Sequence, residues 1–132
     1  MATAPVYAAT PRRECQIIGT ANPNRDGTGT TATVFTAGAN GSRIEAIAIK
    51  ALVTNTAGTV RLYLTNGASK RLWYEQAVAA LTVSATVPSN SFYLNSLANS
   101  DLLPLVLPSG WLLEVSTEKA ENFLIHADGA DF

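Results

Sequence analysis

The sequence is short of charge. Only 14% of its 132 residues are Asp, Glu, Lys or Arg, against about a quarter in an average soluble domain. Nine basic and ten acidic residues leave a formal net charge of −1. Basic residues adjoin only as the pairs Arg12-Arg13 and Lys70-Arg71. A nucleic-acid surface needs a patch or stripe that neutralises several phosphates, so nucleic acid is excluded as a partner. Cysteine is as scarce. With Cys15 alone, no intrachain disulfide can form, and a disulfide-stapled scaffold is excluded. Cys15 lies in the strand-like run 14–20, where it reads as a small core residue.

Catalytic groups are also few. His126 is the only histidine. A hydrolytic triad needs a nucleophile and an orienting carboxylate beside it, and no nucleophile elbow is present. The chain therefore reads as non-enzymatic, with no catalytic residue and no cofactor. Gly27 to Thr31 lacks the lysine and spacing of a phosphate loop and reads as a mobile surface loop. Asp128 and Asp131, near Glu118 and Glu121, fit no established calcium loop, so no metal is expected. No apolar run approaches the roughly 20 residues that cross a bilayer. Residues 1–10 lack the basic and apolar parts of a signal peptide. No membrane role is expected, and synthesis in a cytoplasm is.

What the sequence has in abundance is short alternating segments. Residues 14–20, 30–37, 43–54, 59–65, 70–77, 91–97, 111–117 and 123–127 read as strands, separated by turn formers. Asn40-Gly41 and Asn66-Gly67 are hairpin signals. Residues 78–90 read as a loose strand or ordered loop, and 99–108 as a connection broken by Pro104 and Pro108. The stretch YEQAVAAL at 74–81 is compatible with one helical turn. The run 43–54 is apolar on both faces, which suggests a central strand covered on both sides. The spacing predicts an all-β chain, a single antiparallel β-sandwich of about eight strands, jelly-roll-like. Residues 1–12 are small, Pro-punctuated and aperiodic, and read as an extended N-terminal arm; residues 13–132 form the sandwich domain.

Candidate contact residues follow from this layout. Val6 and Tyr7 are the anchors of the arm. Asn24, Arg25 and Asp26 lie in the polar loop 21–29. Tyr63 and Trp73, with Tyr93, are placed to form an aromatic platform on one sheet face, fit for a subunit contact or a sugar. Trp111 aligns with Leu113 and Val115 and reads as core.

Three segments carry a family likeness. They are AGANGSRIEAIAIKA at 37–51, AGTVRLYLTNGASKRLWYE at 57–75 and LPSGWLLEVSTEKAENFLIHADGADF at 107–132. In this order they resemble small virion proteins of tailed bacteriophages. The recurring pieces are a glycine turn into R-I, an R-L-aromatic-L hairpin, an L-P-x-G turn, S-T-x-x-A-E, and a terminal G-x-D-aromatic. The likeness covers roughly two thirds of the chain and weakens in 1–29 and 78–103. It implies a capsid decoration (cement) protein, homotrimeric, on the outer surface of the head. Its partners would be the major capsid protein and copies of itself. A tail, neck or baseplate component is the nearest alternative. A carbohydrate-binding β-sandwich module, with a host-surface glycan as ligand, is the other.

Overall fold

The computed structural model describes residues 7–132. Among these residues there is no helix, and nine strands follow one another. They are β1 (Thr10–Ile18), β2 (Ala32–Thr36), β3 (Ser42–Ala51), β4 (Gly58–Thr65), β5 (Lys70–Val78), β6 (Ser91–Asn95), β7 (Leu105–Leu107), β8 (Leu112–Thr117) and β9 (Phe123–Asp131). Two antiparallel sheets result. One has the order β1-β9-β3-β6, with β7 also on β3; the other has the order β2-β8-β4-β5.

The pairing is nested. β1 pairs with β9, β2 with β8, β3 with β6 and β4 with β5. Pairs β3–β9 and β4–β8 join these ribbons side by side. The innermost ribbon closes at Asn66-Gly67, where Gly67 has φ +93°, a conformation open to glycine at little cost. Asn40-Gly41 does something different. It links β2 of one sheet to β3 of the other, so the signal marks a corner between sheets and not a hairpin. An Asn-Gly pair specifies the turn; the partners of the flanking strands depend on distant residues.

The two sheets share one apolar core. Ile47, Ile49, Phe123 and Ile125 of the first meet Val60, Leu62, Leu113 and Val115 of the second. Each such side chain contributes about 1.5–3 kcal/mol by leaving water. Alternation accounts for most of this core, and bulges account for the rest. Between Ile44 and Ala46 the β3–β9 register shifts, with Glu45 as the extra residue. Ile44 and Ile47 would face opposite ways in a regular strand; the bulge turns both inward. The bulge accounts for Ile44 in the two-sided apolar pattern of this strand; Ala46 and Ala48 stay on the face opposite Ile47 and Ile49, and Leu52 lies exposed beyond the strand's end. Gly129 lies opposite Ile44, and a Cβ there would overlap the carbonyl oxygen of Arg43. A second bulge lies between Leu62 and Tyr63, with Trp73 as the extra residue on β5. Trp73 and Tyr74 consequently both pack against the core, their ring centres 6.3 Å apart.

Other expectations change in the same light. The first strand begins at Thr10 and includes Pro11, which pairs with Ala130. β1 is an edge strand, where a missing N–H is tolerated. Residues 10–12 of the expected arm therefore belong to the sandwich. Residues 74–78 continue β5, with no helical turn. The connection 99–108 contains β7, and β9 runs on to Asp131. Cys15 is exposed on the outer side of β1, opposite His126, and is not a core residue.

Candidate functional site

The outward face of the β2-β8-β4-β5 sheet is polar yet buried. Arg61 and Tyr63 alternate with core-facing Val60 and Leu62, and Glu114 and Ser116 alternate with Leu113 and Val115. All four outward residues are nonetheless buried. The cover comes from residues 19–31, the loop between β1 and β2, which lies over this face. Tyr63 donates its hydroxyl hydrogen to the Asn24 carbonyl at 3.0 Å. Lys70 Nζ and the Thr31 hydroxyl both donate to Glu114 Oε1, at 2.8 and 2.7 Å.

Asn22 organises the loop. It is 2% exposed, and its amide donates to the carbonyls of Thr28 and Thr30 at 2.9 and 2.8 Å. Its Oδ1 accepts from the Asn24 amide, and its own N–H donates to the Thr117 carbonyl. Gly29 packs against this side chain, so closely that a Cβ there would collide with it. The stretch expected to be a mobile surface loop is therefore pinned at several points.

The structure brings the predicted loop residues together on this cover. Asn24 Nδ2 donates to the Thr28 hydroxyl, and that hydroxyl donates to Asp26 Oδ1 at 2.6 Å. The second bond leads in holding the Asp26 carboxyl below its ordinary pKa. Arg25 makes a bidentate pair with Glu75, at 2.8 and 2.9 Å. Arg61, from beneath, donates to the same Glu75 oxygen at 2.9 Å. Hydrogen bonds from Arg25 first and Arg61 second lower the Glu75 pKa to about 2. Two cations thus converge on one carboxylate in fixed geometry.

Of the predicted arm anchors, Val6 lies outside the described residues. Tyr7 is 75% exposed and lines a shallow groove with Pro11, Arg43, Asp128 and Phe132. The predicted aromatic platform does not assemble. Tyr63 is fully buried under the loop, Trp73 packs against the core, and Tyr93 projects from the other sheet. The bulge at Trp73 and the cover over Tyr63 were both hidden from simple alternation. Trp111 does pack against the core beside Leu113.

A second cluster ties the chain ends to the corner between sheets. Asp131 Oδ1 accepts from the Ser42 hydroxyl and from Arg12 Nη1. The hydrogen bond from Ser42 leads in holding the Asp131 carboxyl below its ordinary pKa. Ser42 Oγ accepts from the Gly38 amide at 2.8 Å. Asn55, 2% exposed, plays at the 79–90 loop the part Asn22 plays at the first loop. It exchanges backbone hydrogen bonds with Leu81 and donates its side-chain amide to the Ala79 carbonyl. Nothing in the composition separated these two asparagines from the others. The carboxylates weighed for calcium are dispersed: Asp128 pairs with Arg13, Asp131 with Ser42 and Arg12, and Glu121 with Thr56.

No protein-family model matches this chain, and no curated protein matches it. Solved structures do. One described as a pentameric capsid protein isolated from metagenomic phage sequences aligns with a TM-score of 0.45 at 10% identity. A second with that description aligns at 0.45 and 11%. In both cases 89% of this chain is covered and 61% of the other, so the chain spans less than two thirds of their length. A chain from the structure of infectious bursal disease virus, Gt strain, aligns with a TM-score of 0.31 at 19% identity, over 92% of this chain and 30% of that one.

Proposed function

We propose that this chain is a structural virion protein, a decoration (cement) protein that binds the assembled head of a tailed phage from outside. The observation that carries this reading is where the family likeness falls in the fold. Residues 37–51 form the corner at Gly41 and β3; residues 57–75 form most of the β4–β5 hairpin; residues 107–132 form β8 and β9. β3 adjoins β9 and β4 adjoins β8, so the three segments make up the centre of both sheets. The parts with weaker likeness supply the rim strands β1 and β6 and the two pinned loops. A shared frame with divergent rims suits a building block whose contacts differ from particle to particle. The nested pairing supports reading the sandwich as a jelly roll, a design in which two sheets close over one core.

A cement protein acts by differential binding. It binds the closed shell and not loose subunits, so it shifts the equilibrium toward the shell by mass action. Many copies add avidity without strong single contacts. The contact elements are the N-terminal segment with Val6 and Tyr7, and the loop with Asn24, Arg25 and Asp26. Because the loop is pinned, ordering it on the shell costs little further entropy. The protein acts as a homotrimer in this reading, with the major capsid protein as its other partner.

Co-sedimentation tests it. The chain is expected to pellet with assembled heads and to leave unassembled capsid protein free. Deleting residues 2–8 is expected to weaken that binding and preserve the fold, because the Ala9 N–H that bonds to the Asp131 carbonyl is retained. Equal affinity for loose subunits, or no affinity for heads, contradicts the reading.

A further inference from the structure

Two turns of this fold carry an Asn-Gly pair, and they are built differently. At the tip of the β4–β5 hairpin, Asn66 and Gly67 are both exposed, and nothing lies within 4 Å of the place a Gly67 Cβ would take. Asn66 Oδ1 accepts from the Ala68 amide at 2.9 Å and from the Ser69 amide at 2.8 Å. Bonds of this kind fold the carboxamide forward over the peptide that follows it. The Gly67 amide itself donates to the Thr65 hydroxyl oxygen at 3.1 Å. The corner at Asn40-Gly41 is closed by contrast. Gly41 is buried, its amide donates to the Gly38 carbonyl at 3.0 Å, and a Cβ there would stand 2.9 Å from the Leu107 carbonyl oxygen.

The atoms at the hairpin tip are the parts of an intramolecular acyl transfer. The Gly67 nitrogen is the nucleophile, and Asn66 Cγ, the neighbouring residue's carboxamide carbon, is the electrophile. The Ala68 and Ser69 amides already point at Asn66 Oδ1, the oxygen on which negative charge develops during attack. Preorganised donors of this kind stabilise the tetrahedral intermediate. The Thr65 hydroxyl holds the proton that must leave the Gly67 nitrogen. Glycine in the second position removes the side chain that would crowd the ring as it closes.

We infer that the Asn66-Gly67 turn is a self-modification site, at which Asn66 is converted to aspartate or isoaspartate with water as the co-reactant. The Gly67 nitrogen bonds to Asn66 Cγ and gives up its proton to water by way of the Thr65 hydroxyl. The Cγ–Nδ2 bond breaks, and Nδ2 leaves with a proton as ammonia. A cyclic imide remains. Water then adds to one of its two carbonyls. Cleavage of the new N–Cγ bond leaves aspartate; cleavage of the original peptide bond leaves isoaspartate, with the chain running through the side-chain carbonyl. Either product places a new carboxylate at the exposed tip of the hairpin. The sequence gives the two Asn-Gly pairs equal standing, and the fold separates them. The inference is independent of the virion function proposed above.

The test is peptide mass mapping of the folded full chain through a long incubation at mildly alkaline pH, beside the same chain held unfolded in guanidinium chloride. In the unfolded chain the two Asn-Gly pairs are expected to convert at similar rates. In the folded chain Asn66 is expected to convert faster than Asn40 by about tenfold or more, the effect of one or two hydrogen bonds on the reacting groups. Thr65→Val removes the hydroxyl from a buried side chain of similar volume and is expected to slow Asn66 by roughly tenfold. Thr65→Ser keeps the hydroxyl and is expected to keep the rate. Thermal unfolding checks that both variants are folded. Equal conversion of Asn66 and Asn40 in the folded wild type overturns the inference, and so does a folded wild type whose Asn66 stays intact. A folded Thr65→Val chain that converts Asn66 at the wild-type rate overturns it as well.

Discussion

The guanidinium carbon of Arg12 lies 4.3 Å from the centre of the Phe35 ring. Arg12 belongs to β1 and Phe35 to β2, so the stack bridges the two sheets at their shared rim. The same side chain donates to the Thr36 carbonyl at 2.7 Å, to Asp131 at 3.0 Å and to Glu14 at 2.7 Å. Gln16 adds a bond from β1 to the Thr33 carbonyl. Side chains here do what strand pairing does elsewhere: they close an edge.

Arg12→Ala is expected to destabilise the fold by about 2–3 kcal/mol, because it removes charge-assisted bonds and a cation–π contact together. Arg12→Lys is expected to recover only part of this, since an ammonium cannot serve the planar fork and the ring at once. Urea unfolding of the three proteins checks both statements. An Arg12→Ala variant as stable as the wild type would show the rim to be held by other contacts.

The buried asparagines make a paired prediction. Asn22→Ala removes the side-chain donor to the Thr28 and Thr30 carbonyls, and Asn55→Ala removes one of the two side-chain donors to the Ala79 carbonyl, Asn90 being the other; each is expected to cost about 1 kcal/mol or more. The effects are expected to be local as well. Amide hydrogen exchange in residues 22–30 should quicken in the first variant, and in residues 79–83 in the second. Exchange that quickens uniformly along the chain would argue against two separately pinned loops.

Gly129→Ala is expected to be among the most damaging single-methyl changes in the chain. The added Cβ would occupy the place of the Arg43 carbonyl oxygen at the bulge, and backbone cannot swing aside as a side chain can. A loss of about 3 kcal/mol or more is expected. Gly67→Ala is the contrast: nothing stands near its Cβ, and only the positive φ opposes it. Its cost is expected to be about 1 kcal/mol. Thermal unfolding of the pair separates steric overlap from backbone strain.

Glu75 gives a pH signature. Its folded pKa is lowered from 4.5 to about 2. A depressed carboxylate adds stability above its unfolded pKa, and that contribution fades as pH falls through the folded value. The contribution is therefore expected to be complete above about pH 4.5 and lost on the way to about pH 2. Glu75→Gln should be less stable than the wild type at neutral pH and should lose stability less steeply across that window. Both Arg25 and Glu75 face solvent, so screening keeps the effect small.

Much of the strand layout was legible in the sequence. Alternation put Val60 with Leu62, Leu113 with Val115 and Phe123 with Ile125 on shared faces of their strands, and all six meet in the core. The departures share a cause. A bulge adds one residue and reverses the face of whatever follows, so parity sets Ile44 opposite Ile47 and Trp73 opposite Tyr74, whereas both members of each pair pack in or against the core. Asn40-Gly41 marked a turn but not which strands would pair across it. The loop cover was illegible because the partners are remote: Tyr63 meets Asn24, and Arg25 meets Glu75. Leu97 reads as the end of a strand over 91–97, whereas β6 stops at Asn95 and Leu97 stands 95% exposed in the turn beyond it.

Whether the chain decorates a phage head is decided by its copy number per purified virion. Quantitative mass spectrometry against the major capsid protein supplies that number. Copies on the order of hundreds are expected, as a closed shell repeats each contact by symmetry. A small ring-sized number would move the chain to the tail or neck, and its absence from purified virions would contradict a virion role altogether.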